Sequence, residues 1–261
     1  MSAPEKSPVS VCLIAGNEAA RIRRALESVA GWTAEIIVVL NDDVNDGTDQ
    51  IAESFGAKVF REPWQGHIGQ KNSAAQKAVG EWILGLDADE VVSPELRAEI
   101  QQLLAAPNRA ALAAAYNFPR CTFYCGRWIR HGDWYPDRQT RLWRRGAATW
   151  GGTNPHDKLI VNGGVRRLRG ELQHFTNESI NKHILKIIPF SDEFVRQKLG
   201  HQPGWIELLT RPAWRFFRAY ILRCGFLDGW QGYYIAWLNA FSAATRYCKL
   251  REANLPPAKT P

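Results

Sequence analysis

The stretch Glu81-Trp82-Ile83-Leu84-Gly85-Leu86-Asp87-Ala88-Asp89-Glu90 runs from an apolar hexapeptide straight into a cluster of carboxylates. A short apolar run with a charged residue on either side reads as a buried strand, and the acids then fall at its carboxyl end. Side chains alternate along an extended segment, so Asp87 and Asp89 point the same way and can share a hard divalent cation. A lone D-x-D is a weak signal and equally describes a solvated acidic turn. Its surroundings decide its weight.

Upstream, the same strand-then-loop grammar recurs. Val9 to Ala15 reads as a first strand, with Asn17 capping a helix whose apolar positions Ile22, Ala25, Leu26 and Val29 share a face before Gly31. Glu35 to Leu40 (EIIVVL) is a second buried strand, and it too ends in polar residues, Asn41, Asp42 and Asp43. A helix over about Thr48 to Phe55, a strand near Lys58 to Phe60 and a helix over about Gly69 to Val79 continue the alternation. Ser93-Pro94 supplies an N-cap and first turn for a helix carrying Leu96, Ile100, Leu103 and Leu104. This order predicts an α/β fold with a mostly parallel sheet flanked by helices, and such sheets bind ligands beyond the carboxyl ends of their strands.

After Pro107 the sequence becomes irregular and rich in Trp, Arg, Gly and His, which suits a loop-rich region facing a substrate. The formal charge of the 261-residue chain is +7, and the excess is uneven: eleven Arg or Lys face three Asp between Arg120 and Arg169. Such a balance favours an anionic partner: nucleic acid, a membrane surface or a phosphorylated substrate. Five scattered cysteines argue against a disulfide framework or a zinc site. The N-terminal MSAPEKSPVS lacks the apolar core of a signal peptide, so the catalytic part is expected in the cytoplasm.

These blocks together resemble glycosyltransferase family 2, the GT-A (Rossmann-like) fold. The resemblance rests on Val11-Cys12-Leu13-Ile14-Ala15-Gly16-Asn17-Glu18, EIIVVL with Asn41-Asp42-Asp43 and Asp46-Gly47-Thr48, Gly69-Gln70-Lys71-Asn72, and EWILGLDADE. Trp134-Tyr135-Pro136-Asp137, Arg141-Leu142-Trp143-Arg144-Arg145, Pro155-His156-Asp157 and Gly225-Phe226-Leu227-Asp228-Gly229 further resemble the WaaE-type branch of lipopolysaccharide core assembly. The resemblance implies a nucleotide-sugar-binding half over residues 1–115, an acceptor-binding and catalytic loop region over 116–190, and C-terminal amphipathic helices over 191–261.

It implies an inverting transfer from a nucleotide-sugar, a UDP-hexose in the first instance, to a lipid-linked or lipopolysaccharide-core-type saccharide with Mg2+ or Mn2+. Asn17 and Glu18 would lie beside the nucleotide, Lys71 near the uridine or its phosphates, Asp87 near ribose and metal, and Asp89 on the metal. The acid expected directly after the second strand is replaced by Leu40 and a longer loop, which leaves Asp42 or Asn41 for the base or ribose. The family's downstream Glu-Asp pair has no literal copy, so Asp157 is the first candidate for the base that deprotonates the acceptor, and Asp137 the second. Arg141, Arg144 and Arg145 are candidates for a diphosphate clamp, or else a solvated basic loop.

Arg211, Arg215 and Arg218 recur on one side of a helical pattern beside Trp214, Phe217 and Ile221. Two readings stand for this C-terminal segment: an interfacial pair of helices on the anionic inner face of the cytoplasmic membrane, or a helical pair packed on the domain's own sheet. Glycosyl transfer is the leading reading of the chain. A haloacid dehalogenase-like phosphatase would use Asp87-Ala88-Asp89-Glu90-Val91 as its nucleophile motif, but that motif belongs after a first strand. A basic nucleic-acid or membrane-binding protein would leave the acidic strand ends unexplained, and nucleic acid is not expected as a partner. No G-x-G-x-x-G follows the first strand, which disfavours a dinucleotide dehydrogenase.

Overall fold

The computed structural model describes residues 6–153, 156–176 and 179–255 and divides into two compact units. Unit 1 comprises residues 1–120 and 137–175 and carries the sheet. Its elements begin β1 (Ser7–Ala15), α1 (Ile22–Val29), β2 (Thr33–Asn41), α2 (Thr48–Ser54), β3 (Lys58–Glu62), α3 (Gly66–Gln76), β4 (Trp82–Asp87), β5 (Glu90–Val92) and α4 (Pro94–Leu104). The chain continues with β6 (Ala115–Tyr124), β7 (Arg127–Ile129), β8 (Asp137–Arg144), β9 (Ala148–Thr153), β10 (His156–Val161), β11 (Val165–Arg167) and β12 (Leu172–His174). The unit boundary falls inside β6, and β7 pairs with the last residues of β6 within the other unit.

The sheet runs β3-β2-β1-β4-β8-β6-β12-β5. The first four strands are parallel, as the β/α alternation requires, whereas β8 is antiparallel to β4 and β12 antiparallel to β5. The Arg- and Trp-rich middle region thus extends the sheet, and β9 and β10 form a separate hairpin. Alternation sorts β1 to two faces: Val9, Val11 and Leu13 join the cluster beneath α1 and α4, while Cys12 and Ile14 join Ile37, Ile83, Trp143, Trp150 and Ala74 of α3. Burial on both faces explains the nearly unbroken apolar runs read from the sequence.

Helix signals held unevenly. Ser93 Oγ accepts from the Leu96 amide with Pro94 in the first turn, so α4 starts as its sequence indicates. Asn17 is no cap for α1: the helix begins after Arg21, and Asn17 is exposed, its Oδ1 accepting from the Asn45 amide.

Unit 2 comprises residues 121–136 and 176–261 and contains α5 (Ile180–Lys198), α6 (Trp205–Phe217) and α7 (Gly229–Ala253). Tyr124, Ile129 and Ile235 form its small core. Gly232 is required there, since a Cβ would stand 1.9 Å from the Gly225 carbonyl oxygen. The basic helix is less free than its sequence suggests: Arg215, Arg218 and Arg223 converge on the Asp133 carboxylate at 3.2, 2.9 and 3.3 Å. Among the described residues, no helix is long and apolar enough to cross a membrane.

Candidate active site

Parallel pairing brings the carboxyl ends of β1 and β4 together, with Ile14 in register with Asp87. Residues after Ala15, Asn41 at the end of β2, and the β4–β5 turn therefore share one rim of the sheet. A cleft of about 430 Å³ opens over it, lined by Gly16, Glu18, Asn41, Asp87, Asp89 and His174 among others. Burial pushes the Glu18 carboxyl above its ordinary range; Arg21 opposes the shift, and the neighbouring Asp89 and Asp46 add to it.

Asp87 is held rigidly. Its Oδ2 accepts from Arg141 Nη2 at 2.6 Å, and its Oδ1 lies 3.0 Å from Lys71 Nζ. Burial alone would raise its pKa, but the charges of Arg141 and Lys71 outweigh that and hold the carboxyl well below the usual carboxylate range. Behind it, the fully buried Glu90 accepts from the Asp87 amide at 3.0 Å and from Arg120 and Arg141 at 3.1 and 3.3 Å. Burial opposes the charge of both guanidinium groups, yet their carboxylate neighbours, Glu90 and Asp137 for Arg120 and Asp87 and Glu90 for Arg141, hold them above their ordinary pKa. Such a network tolerates burial only while every charge keeps its partner.

Lys71, on α3, links the two candidate acids, lying 3.0 Å from Asp87 and 2.9 Å from Asp157 Oδ2 on β10. Its ammonium also stands 4.7 Å from the Trp150 ring centroid, and Arg141 stacks on the same indole at 5.2 Å. Asn72 fixes the Trp150 backbone by donating to its carbonyl and accepting from its amide, both at 2.9 Å. Gly85 makes room for the ring, since a Cβ there would come within 3.0 Å of it.

On the far side of the Lys71, Asp87 and Asp157 group lies a second cleft of about 470 Å³, whose other charged residues are all basic: Arg120, Arg138, Arg141 and Lys158. The first cleft has the opposite character, with Glu18, Asp87, Asp89 and Asp157 facing Lys71 as its one permanent cation among the described residues.

The structure gathers Glu18, Asn41, Lys71, Asp87, Asp89 and Asp157 in the acidic cleft, and Arg141 on the wall behind it. Asn17, Asp42 and Asp43 are exposed and do not line it, so of the two loop residues weighed for the base or ribose it is Asn41 that reaches the cleft. Arg144 lies elsewhere: β8 runs antiparallel to β4, which pairs Arg144 with Trp82 at the opposite end of the strand from Asp87. There Arg144 donates to the Arg109 carbonyl and Arg145 to the Gly80 carbonyl, so neither reaches the rim. Asp137 is paired with Arg120 at 2.7 Å and lines neither cleft. Pro155 falls outside the described residues.

Sequence reasoning missed His174, whose Nε2 lies 3.2 Å from Asp89 Oδ2. It arrives because β12 pairs with β5, setting His174 opposite Glu90, while the Phe175 amide donates to the Asp89 carbonyl. Trp64 and His67, in edge-to-face contact at 4.9 Å, also line the acidic cleft and were missed. Their only sequence signal was a Trp just before α3 and a His in its first turn.

The glycosyl transferase family 2 profile matches residues 10–167. An uncharacterized glycosyltransferase of Rickettsia bellii is 34% identical over 264 residues, spanning 95% of this chain and 87% of that protein. The lipopolysaccharide core biosynthesis glycosyltransferase LpsC of Rhizobium meliloti is 28% identical over 97% of this chain and 98% of its own. Among solved structures, the mannosyltransferase PcManGT of Pyrobaculum calidifontis, in complex with GDP-Man and Mn2+, superposes with a TM-score of 0.55 at 13% identity, covering 94% of this chain and 88% of that one. The strand order, the rim of acids and these similarities agree: the chain belongs to glycosyl transferase family 2 and has the GT-A fold.

Proposed function

We propose that the acidic cleft holds a nucleotide-sugar together with a divalent cation, and that the chain transfers the sugar with inversion to a saccharide acceptor. The observation that carries this reading is the charge of the cleft. A diphosphate beside Glu18, Asp87, Asp89 and Asp157 is repelled unless a cation intervenes. Asp89 and His174 offer a carboxylate and an imidazole 3.2 Å apart. Among the described residues no group of three His, Cys, Asp or Glu side chains could hold an ion by itself, so the ion would take the rest of its shell from diphosphate oxygens and water.

Asp89 and His174 would hold Mg2+ or Mn2+, whose chemistry there is to neutralise charge on the departing diphosphate. The remaining work falls to the chain. Asn41 and Glu18 sit where the nucleoside would lie, and the exposed face of Trp64 suits stacking on a base. Asp87, fixed by Lys71 and Arg141, orients the ribose side. Asp157 accepts the proton of the acceptor hydroxyl as that oxygen bonds to the anomeric carbon and the bond to the diphosphate oxygen breaks on the opposite face. Lys71, with its Nζ 2.9 Å from Oδ2, aims the Asp157 carboxylate.

A UDP-hexose is the donor we favour, in line with the solved complex of Staphylococcus aureus TarS with UDP-GlcNAc, whose TM-score is 0.50. The similarity to LpsC, a glycosyltransferase of lipopolysaccharide core biosynthesis, supports a lipid-linked or lipopolysaccharide-core-type acceptor. Work on a lipid-linked acceptor calls for contact with the membrane surface, here the inner face of the cytoplasmic membrane. Trp205, Ile206, Leu209, Trp214 and Phe217 of α6 are exposed, as are Trp230, Tyr233, Trp237 and Phe241 of α7, and Arg211 accompanies them. That composition suits an interfacial surface on anionic lipid.

The deciding assay measures sugar transfer or donor hydrolysis from UDP-, GDP- and ADP-sugars with Mn2+, for the wild type and Asp89→Ala. Turnover in the wild type that disappears on EDTA treatment and in Asp89→Ala is expected; turnover unchanged in the variant would overturn the metal site. Flotation with phosphatidylglycerol vesicles tests the membrane surface. Trp205→Glu with Leu209→Glu should lose flotation, and equal flotation of both proteins would refute the contact.

A further inference from the structure

The second cleft is not needed for the donor, and its charge is opposite. From Arg138, Lys158 and the wall of Arg141 we infer that it is an oxyanion subsite, and that the acceptor sugar carries a phosphate or carboxylate close to the hydroxyl that is glycosylated. This inference rests on the glycosyl-transfer reading above and assigns the acceptor side of that site.

Two of its cations are already neutralised: Arg120 by Glu90 and Asp137, and Arg141 by Asp87 and Glu90. The other two are not. Among the described residues, Arg138 makes only contacts of 3.4 Å to neutral oxygens, Asn117 Oδ1 and the Leu168 carbonyl, and Lys158 has no hydrogen-bonding or ionic partner. Both are exposed residues lining a cleft of about 470 Å³, where a ligand can reach them. Arg141 adds a second, independent sign. It is only 4% exposed, yet its Nε and Nη1 have no hydrogen-bond partner among the described residues. Both atoms are shut off from solvent, so a ligand in the cleft meets the guanidinium through its field at the wall and not through a hydrogen bond to them.

The placement sets the chemistry. Asp157, the proposed base, borders this cleft as well as the acidic one, so an acceptor hydroxyl beside Asp157 sits in the same cavity as Arg138 and Lys158. A neutral sugar would leave those two charges idle, whereas a phosphate or carboxylate pairs with a guanidinium through two parallel hydrogen bonds and with an ammonium as a point charge. The acidic half repels such an anion. Opposite charge in the two clefts therefore sorts the two substrates: a metal-bound diphosphate to one side and an anionic acceptor to the other.

The test uses the full chain saturated with UDP and Mn2+, and titrates glucose 6-phosphate, glucuronate and glucose by calorimetry. We expect at least one anionic sugar to bind about tenfold more tightly than glucose, and Arg138→Gln with Lys158→Gln to remove that preference while leaving UDP affinity within about twofold. Tighter binding of glucose 6-phosphate identifies phosphate as the recognised group, and tighter binding of glucuronate identifies carboxylate. Equal binding of all three sugars, competition of the anionic sugars with UDP, or an unchanged preference in the double variant would each overturn the subsite. If UDP itself fails to bind while the anionic sugars still do, the donor reading falls and the anion subsite stands.

Discussion

The two clefts share one wall, Lys71, Asp87 and Asp157, and differ in nearly everything else. The acidic cleft is built mainly at the ends of parallel strands, so Asp87 and Asp89 are placed by the sheet's backbone, and Asp157 joins them from the β9–β10 hairpin. The basic cleft is built from side chains of β8 and the β9–β10 hairpin, where Arg138 and Lys158 are long and exposed. Backbone-placed acids that outnumber the cations facing them form a site for a metal-bound ligand. Flexible cations at a rim form a site for charge recognition. The shared wall stays in place because Glu90 holds Arg120 and Arg141 from behind, so the boundary between opposite charges is set by a residue that touches neither ligand.

That contrast can be broken from either side. The largest effect is expected for Asp89→Ala, which should lower transfer about a thousandfold while circular dichroism and melting temperature stay close to wild type, because Asp89 makes no buried ion pair of the kind that anchors Asp87. Glu90→Gln removes the shared counter-ion of Arg120 and Arg141 and should cost about 3 kcal/mol of folding stability in denaturant titration. Were its stability unchanged, the wall would not depend on Glu90. Asp157→Asn should cut transfer about a hundredfold with donor affinity nearly unchanged; transfer equal to wild type would assign the base elsewhere.

The smallest effect concerns Glu18. Its folded pKa is raised, so the folded state binds the extra proton between the ordinary carboxylate value and the raised one, and stability falls as pH rises through that window. Glu18→Gln should flatten that fall and leave the protein slightly more stable at neutral pH, at some cost to activity. Asp87 runs the other way. Its depressed folded pKa gives stability that is fully present above the ordinary carboxylate value and lost only as pH falls through the lower folded one. Asp87→Asn should therefore weaken the protein at neutral pH and make its acid unfolding shallower.

Much of the acidic cleft was legible in the sequence because strand ends are local features. EWILGL followed by Asp87 and Asp89 needed only alternation and burial to be read, and Lys71 stood in a recognisable helix start. The errors came where local rules compete with pairing. Asn17 has the chemistry of an N-cap, but its side chain serves the turn at Asn45, and α1 starts later. Arg141 and Arg144 look equivalent in one basic run, yet they sit on a strand antiparallel to β4. Three residues of extended chain, roughly 10 Å, carry one to Asp87 and the other to the far edge.

The sequence by itself determined the apolar strands, their order in the parallel half and the acids at their ends, because those follow from side-chain period and from the burial of both faces. Only the tertiary structure decided which residues meet: His174 beside Asp89, Asp157 against Lys71, and Trp150 beneath two cations. Each of those pairings crosses long stretches of chain and depends on strand register, and a shift of one residue would turn each side chain to the opposite face.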